Sequence, residues 1–361
     1  MFSAADHEYM ARALRLAERG LYTATPNPRV GCVIVRDGEV VGEGWHERAG
    51  EPHAEVHALR AAGEAARGAT VYVTLEPCSH YGRTPPCAKA LIEAQPGRVV
   101  AAMRDPNPLV AGEGLAMLEL AGIHTEHGLL EAQARELNIG FVYRMTSGRP
   151  WVRLKTAASL DGKTALNNGV SQWITGADAR RDVHRMRARS CAVLTGIGTV
   201  LADDPLMNVR AVETARQPLR IVVDSRLRMP PAAKMLGEGK TLIVTGSHDQ
   251  EKQDRLWRAG ARMLVLPLRE GRVDLKQMLD ELGKQEINEV MVEAGRTLGG
   301  AMLQAGLVDE LVVYLAPRLL GDKARGMFDL PELTEMAGRE LRIKDVTMVG
   351  RDLRIRAVPL E

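Results

Sequence analysis

Apolar positions along the chain change rhythm from one stretch to the next. Tyr9, Met10, Ala13, Leu14, Leu16 and Ala17 recur at helical spacing, with Ser3 as N-cap and Gly20 as a stop. ThrProAsnProArg (25–29) is a stiff loop, since each proline fixes its own φ. A strand over 30–36 meets the turn signal Asp37-Gly38 and a second strand over 39–45, which predicts a β-hairpin. Helices and strands then alternate: a helix over 52–67 ended by Gly68, a strand over 70–75, a helix over 87–94 and a strand over 98–103. A helix over 115–121, a short strand over 123–125 and a helix over 131–141 complete the series. Strands separated by helices predict parallel pairing, with helices covering the sheet.

The polar stretch ThrSerGlyArgPro (146–150) breaks the pattern and reads as a linker, dividing the chain into domains 1–146 and 147–361. Beyond it strands are expected over 151–156, 192–196, 219–224, 241–245, 263–266, 289–293 and 310–315, with closing strands over 341–349 and 353–358. Helices are expected over 177–189, 253–259, 275–282 and 298–305. Both domains are therefore of the α/β class.

Composition narrows the function classes. The chain has 361 residues, enough for about two domains of ~150–200 residues. With 45% hydrophobic and 26% charged residues it is an ordinary globular protein. No apolar run approaches the ~18 residues of a membrane span, and the first twenty residues lack the apolar core of a signal peptide. A net charge of +2 argues against a nucleic-acid binder. Four cysteines do not make a disulfide scaffold, and free thiols without a signal predict the cytoplasm.

One constellation carries chemistry. ProHisAlaGluVal (52–56) opens a helix, and a strand later runs into GluProCys (76–78) and then ProProCys (85–87). An imidazole and two thiolates are a standard zinc set that leaves a fourth position for water. At a first helical turn His53 reaches the metal while Glu55 stands beside the water and shuttles its proton. The order fits the H-x-E…P-C-x-x-C signature of zinc deaminases. Three readings compete. HisAlaGluValHis (53–57) has Glu third, where a metalloprotease helix needs it second. A structural zinc site needs a fourth protein ligand, and none lies at suitable spacing. The third is a pair of core cysteines beside a helix-start histidine. Cys32 and Cys191 lie in apolar strands and read as core thiols. Between Cys78 and Cys87 the spacing is long, and the insert carries His80 and Arg83 toward the metal, where either suits an anionic part of a substrate.

ThrProAsnProArgValGlyCysValIleVal (25–35), ProHisAlaGluValHisAla (52–58), ThrLeuGluProCysSerHisTyrGlyArgThrProProCys (74–87) and ArgAspProAsnProLeuValAlaGlyGluGly (104–114) resemble the deaminase half of the bifunctional riboflavin-biosynthesis deaminase/reductase family. The resemblance implies a cytidine-deaminase-like three-layer fold, with His53, Cys78 and Cys87 as zinc ligands and Glu55 as the proton-transfer residue. It places Asn27, His46, Arg83, Asp105 and Asn107 in the substrate pocket. The bland alternatives are turn formation for Asn27, Asp105 and Asn107, and simple surface exposure for His46.

The second half gives weaker signals. No G-x-G-x-x-G follows a strand, so a Rossmann fingerprint is absent. ValGluAlaGlyArgThrLeuGlyGlyAlaMet (292–302) is a strand end, a turn and a helix start; it suits a phosphate or is an ordinary loop with close-packed glycines. The segments 155–165, 171–176, 199–210, 223–225 and 293–295 resemble the same family's reductase domain, which implies a dihydrofolate-reductase-like fold. Carried over by position, Ala157, Trp173, Thr199, Asp203, Ser225, Gly295, Arg296, Thr297, Leu298, Gly299, Gly300 and Ala301 are cofactor positions. Ser171, Arg187, Met207, Arg210 and Glu293 are substrate positions, and Lys155 and Asp203 assist catalysis. Ser225 and Arg226 suit the 2′-phosphate of NADP; Arg180, Arg181, Arg185 and Arg189 read as a solvated helix face. No motif matches over 211–218 and 226–288, where variable loops are expected.

The resemblance thus implies a bifunctional enzyme with zinc and NADPH. It removes an amino group hydrolytically from a diaminopyrimidinone bearing a phosphoribosylamino group, then reduces the ribosyl side chain of the resulting aminouracil to ribityl. Small-molecule substrates, a homo-oligomer and a cytoplasmic location are expected, without nucleic acid or membrane partners. The rival is a nucleic-acid-editing deaminase with a binding module, but 4% aromatic residues offer little surface for base stacking.

Overall fold

The computed structural model describes residues 1–80, 85–108, 110–237, 240–332 and 338–360. They form two compact units, Met1–Gly148 and Arg149–Glu361. The first contains, in order, α1 (Ala4–Glu18), β1 (Gly31–Arg36), β2 (Glu39–Trp45), α2 (Ala54–Ala62), β3 (Thr70–Val73), α3 (Cys87–Ala94), β4 (Arg98–Ala101), α4 (Glu113–Leu120), β5 (His124–His127), α5 (Glu131–Leu137) and α6 (Ile139–Ser147). The sheet order is β2-β1-β3-β4-β5.

Parallel pairing holds for β3, β4 and β5, but β1 is antiparallel to both its neighbours. The tight turn at Asp37 and Gly38 forces β2 back along β1, and the crossover through α2 then lays β3 on the far side of β1. Helix α2 stops earlier than its pattern predicts, because Gly63 leaves the helical region at φ 51°. The expected helix over 131–141 is two helices. Asn138 lies between them, and its side-chain amide exchanges hydrogen bonds with the backbone N–H and carbonyl of Arg29 (2.8 and 2.9 Å). That bond ties the end of the unit to the loop bearing Asn27. Met10, Ile34, Val71, Val99, Leu91 and Leu118 are among the fully buried core residues of the three-layer α/β arrangement. Helix α2 lies tight on β2 at Gly44, where a Cβ would fall 2.4 Å from the Ala54 carbonyl oxygen. This fixes the first turn of α2, and with it His53 and Glu55, against the sheet.

The second unit contains β6 (Trp151–Ser159), β7 (Lys163–Ala165), α7 (Ala177–Arg189), β8 (Ala192–Gly196), α8 (Ile197–Asp203), β9 (Leu219–Val223), α9 (Lys234–Gly237), β10 (Thr241–Thr245), α10 (Gln250–Arg258) and β11 (Ala261–Val265). It continues with β12 (Leu268–Arg269), β13 (Arg272–Val273), α11 (Leu275–Lys284), β14 (Glu289–Val292), α12 (Arg296–Gln304), β15 (Glu310–Ala316), β16 (Arg325–Gly326), β17 (Leu341–Val349) and β18 (Asp352–Pro359). Nine strands form one sheet in the order β11-β10-β9-β8-β14-β6-β15-β18-β17. The seven from β11 to β15 are parallel; β18 and β17 close the edge antiparallel. The inner strands are apolar on both faces, as helices on both sides require. Successive residues feed opposite cores: Leu194 packs with Val152 and Val292, while Val193 packs with Val222 and Ile243. A buried ion network crosses the sheet. Arg153 of β6 donates to Glu310 of β15 (2.6 Å), Arg356 of β18 donates to the same carboxylate (2.6 Å), and Arg189 donates to Glu289 of β14 (2.9 Å). Charges held this deep survive only as pairs.

Candidate functional site

In the first unit, two helix starts and one strand exit converge. His53 is the N-cap of α2, Cys87 is the first residue of α3, and Cys78 follows the segment leaving β3. The ligand atoms of His53, Cys78 and Cys87 all lie within 4.8 Å of one another. His53 Nδ1 is 3.2 Å from the Cys87 Sγ and 3.6 Å from the Cys78 Sγ, and the Cys87 backbone N–H donates to the Cys78 Sγ (3.2 Å). The positive ends of two helices favour thiolate here. Hydrogen bonding to Cys87 pushes the Cys78 thiol down, and the same contact pushes Cys87 up. A dication bound here would satisfy both sulfurs, so the donor set fits zinc in number, type and spacing.

Glu55, in the first turn of α2, is 3% exposed. Burial pushes its carboxyl up, to about 7, although His53 opposes the shift. His46 is buried as well, contrary to the bland surface reading. Its Nε2 accepts from the Asn27 amide (3.0 Å), and its Nδ1 donates to the Pro52 carbonyl (3.2 Å), so its orientation is fixed beside His53. Burial depresses its basicity, which keeps the ring neutral. Asp105 accepts from the Asn107 backbone N–H (2.8 Å), and burial raises its pKa. His80 is exposed; Arg83 lies outside the described residues.

In the second unit, a cavity of about 860 Å³ opens along the carboxyl ends of the parallel strands, where such sheets bind ligands. Lys155, Ala157, Ser171, Trp173, Thr199, Asp203, Ser225, Glu293, Gly295, Arg296, Thr297, Leu298 and Ala301 all line it. Lys155 on β6 and Ser225 beyond β9 are three strand spacings apart, roughly 14 Å. That span suits an extended molecule with a reactive end and an anionic end. Glu293 receives both edges of the Arg187 guanidinium (2.5 and 2.9 Å) and stands 4.0 Å from the Lys155 ammonium. Burial lowers the Lys155 pKa against the pull of Glu293. At the start of α12, Gly295 is the N-cap, and the first-turn N–H groups lack intrahelical acceptors.

Several positions differ from expectation. Gly299 and Gly300 do not line the cavity; a Cβ on Gly300 would fall 2.2 Å from the Asp329 carbonyl oxygen, so these two glycines serve packing. The Met207 side chain is buried with Val193, Ile197 and Val200, which leaves only its backbone for a ligand. Arg187 lies outside the cavity lining and spends its fork on Glu293, with a further bond to the Asn208 carbonyl (2.9 Å). Arg210 is also outside the lining, exposed, with its guanidinium donating to the Asn208 side-chain carbonyl (3.1 Å). Nor is the arginine face of α7 simply solvated: Arg180 lines the cavity and sits 4.6 Å over the Trp173 ring, and Arg189 pairs with Glu289. Sequence reasoning also missed Arg228 and Arg272, which line the cavity with Ser225 and Arg226. Arg272 arrives on the β12–β13 hairpin, joined to Ser225 by a hydrogen bond from the Val273 N–H to the Ser225 hydroxyl (3.0 Å).

A His/Cys/Cys centre with a buried glutamate on one unit, and a cofactor cavity on a mixed nine-stranded sheet in the other, define a zinc-dependent deaminase joined to an NADPH-dependent reductase. Residues 3–103 match the cytidine and deoxycytidylate deaminase zinc-binding region, and residues 150–355 match the RibD C-terminal domain. The riboflavin biosynthesis protein RibD of Escherichia coli (strain K12) is 54% identical, with 96% of this chain and 98% of that one covered. The Haemophilus influenzae protein of the same name is 48% identical over 99% and 98%. Among solved structures, Acinetobacter baumannii RibD superimposes with a TM-score of 0.92 at 48% identity, covering 99% of both chains. A Thermotoga maritima diaminohydroxyphosphoribosylaminopyrimidine deaminase/5-amino-6-(5-phosphoribosylamino)uracil reductase gives 0.89 at 32%, also covering 99% of both. The chain belongs to the RibD family, the bifunctional deaminase/reductases of riboflavin biosynthesis.

Proposed function

We propose that the first unit hydrolytically deaminates the diaminohydroxyphosphoribosylaminopyrimidine, and that the second reduces the ribosyl chain of the resulting phosphoribosylamino uracil to ribityl. The substrate names are those of the Thermotoga relative; the observation that carries the reading is the buried Glu55 beside the triad of His53, Cys78 and Cys87. Zinc, when bound, makes water acidic enough to yield a nucleophile near neutral pH. Glu55 would take a proton from water as its oxygen bonds to the amine-bearing ring carbon, and would give that proton to the amine as the carbon–nitrogen bond breaks. Asn27 and His46, locked to each other, shape the ring pocket, with Asp105, Asn107 and Arg83 as the further substrate contacts. Cys87→Ala is expected to lose most of the zinc; metal analysis finding a full equivalent would refute the ligand set. Mass spectrometry of the pyrimidine after incubation, with and without NADPH, tests both reactions.

In the second unit NADPH supplies the hydride. Trp173, Thr199 and Ala157 flank the cofactor, and the Gly295–Ala301 turn takes its pyrophosphate through Arg296, Thr297 and Leu298. Ser171, Glu293 and the Met207 backbone bound the sugar, with Lys155 and Asp203 placed to handle its proton. Arg210 takes the substrate phosphate. Ser225, Arg226, Arg228 and Arg272 take the 2′-phosphate, since guanidinium forks match phosphate oxygens. Arg272→Ala is expected to raise the KM for NADPH roughly tenfold and leave that for NADH unchanged, as for one charge-assisted bond. Arg210→Ala is expected to weaken the phosphorylated intermediate by a similar factor with NADPH affinity intact. Equal loss for both ligands in either variant would overturn that assignment.

A homo-oligomer is proposed as well. Edge strand β17 leaves Leu341, Ile343, Val346 and Met348 exposed, 41–61% of each, and an apolar edge of this length favours pairing. Ile343→Glu is expected to lower the mass found by light scattering; a wild-type chain that runs as a monomer would refute the proposal. No helix among the described residues is long and apolar enough to cross a membrane. The four free cysteines support a reducing, cytoplasmic setting.

A further inference from the structure

The segment ArgAspProAsnProLeuValAlaGlyGluGly (104–114) carries two of the proposed substrate contacts, Asp105 and Asn107, yet its second half, AlaGlyGluGly, has no role in that pocket. The reason for its residues lies in Glu76. This side chain is 4% exposed, and its carboxylate accepts four backbone N–H groups from the segment and the helix that follows. One oxygen receives Asp105 (3.0 Å) and Gly112 (2.9 Å); the other receives Gly114 (2.9 Å) and Leu115 (3.3 Å). The loop closes on the carboxylate because Gly112 adopts φ 86°. The backbone comes this near because position 114 has no side chain: a Cβ there would fall 1.9 Å from the Pro77 carbonyl oxygen.

Glu76 stands two residues before Cys78, on the same strand exit, and its own N–H is held by the Met103 carbonyl (2.9 Å). One buried anion therefore grips both the segment that delivers a metal ligand and the loop that delivers Asp105 and Asn107. Backbone N–H groups turned inward on a carboxylate are unable to turn outward to water, so the backbone at Asp105 and at 112–115 is held to Glu76. A loop tied at Asp105 and again at 112–115 holds Asn107 between two anchors.

We propose that Glu76 is a positioning residue of the deaminase: it sets the substrate-contacting loop in register with the metal centre, without itself touching substrate. The proposal rests on the reading that Asp105 and Asn107 contact the pyrimidine substrate. Glutamine at 76 keeps the shape but turns an NH2 group toward N–H donors, so about half of the four bonds are lost and replaced by repulsion.

The test uses the full-length enzyme with zinc bound, the pyrimidine substrate, and the aminouracil intermediate supplied separately to the second domain. Glu76→Gln is expected to keep one zinc and unchanged reductase kinetics, which report a folded chain. Its deaminase KM should rise at least roughly tenfold, with kcat falling by a smaller factor. Asn107→Ala should raise KM likewise, and the double variant should show much less than the product of the two effects, because both act through one loop. Zinc loss in step with activity would mean that Glu76 supports only the metal segment, and would overturn the proposal. If Asp105→Ala and Asn107→Ala raise KM while Glu76→Gln does not, the pocket reading stands and the anchoring role falls. If neither of those two loop variants moves KM, the pocket reading fails and the proposal falls with it.

Discussion

Glu55→Gln is expected to lose deamination by ~10²–10⁴-fold while it keeps its zinc and its whole reductase activity. Glutamine fills the same volume at the start of α2 and leaves His53, Cys78 and Cys87 undisturbed. It has no basic oxygen to accept the water's proton and none to give to the amine. The 3% exposure of Glu55 sharpens the effect, since bulk water has little access to stand in for the missing base. The measurement is ammonia release by the variant, beside zinc content and NADPH oxidation with supplied intermediate. Ammonia release within a few-fold of the parent enzyme would remove Glu55 from the mechanism. Loss of zinc with activity would make it a support for the metal instead.

What the sequence disclosed follows from how side-chain chemistry is written. The metal centre was legible because zinc demands particular residue types, and each falls at a strand-to-helix junction readable from local pattern: His53 before α2, Cys78 after β3, Cys87 opening α3. The elements themselves were legible where apolar periodicity is long, as in α1, α7 and the inner strands. Glu76 was not legible, because its four partners are backbone N–H groups, and a backbone N–H leaves no trace in residue identity. Arg272 was missed for a related reason: tertiary contacts bring the β12–β13 hairpin to the cavity, among them the hydrogen bond from Val273 to Ser225 and the burial of Val273 in the core. The break at Asn138 is likewise tertiary, set by Arg29 more than a hundred residues earlier in the chain. Gly299 and Gly300 show the opposite error. Glycines at a helix start look like a phosphate turn, yet here Gly300 admits the backbone of Asp329 and Gly299 the ring of Phe328.

In the second unit the largest loss is expected from Glu293→Gln. Its carboxylate is 12% exposed, and burial alone pushes its pKa up. The Arg187 charge and its paired hydrogen bonds, with Lys155 and His184 adding to them, outweigh burial and bring it from 4.5 down to about 2. The sign of the pH dependence follows. A carboxyl whose folded pKa lies below its unfolded value stabilises the fold fully above the unfolded value, near 4.5, and loses that contribution as pH falls toward 2. The gap corresponds to about 3 kcal/mol. Glutamine removes the charge and leaves the Arg187 guanidinium, itself 11% exposed, without its countercharge. Removing one partner of such a buried pair costs about 3–5 kcal/mol. The Lys155 ammonium loses the anion that opposes its desolvation, so a larger share of it becomes neutral. Reductase turnover should therefore fall by ~10²-fold or more, while deamination by the first unit stays at the parent level. Denaturant unfolding at neutral pH should place the second unit's transition well below that of the parent. The difference should shrink steadily as pH is lowered from about 4.5 toward 2, because the parent then protonates the group the variant already lacks. A gap that stays constant over that range would show that Glu293 is not held as a carboxylate by Arg187. A variant with full turnover would remove the Lys155–Glu293–Arg187 chain from the reductase site.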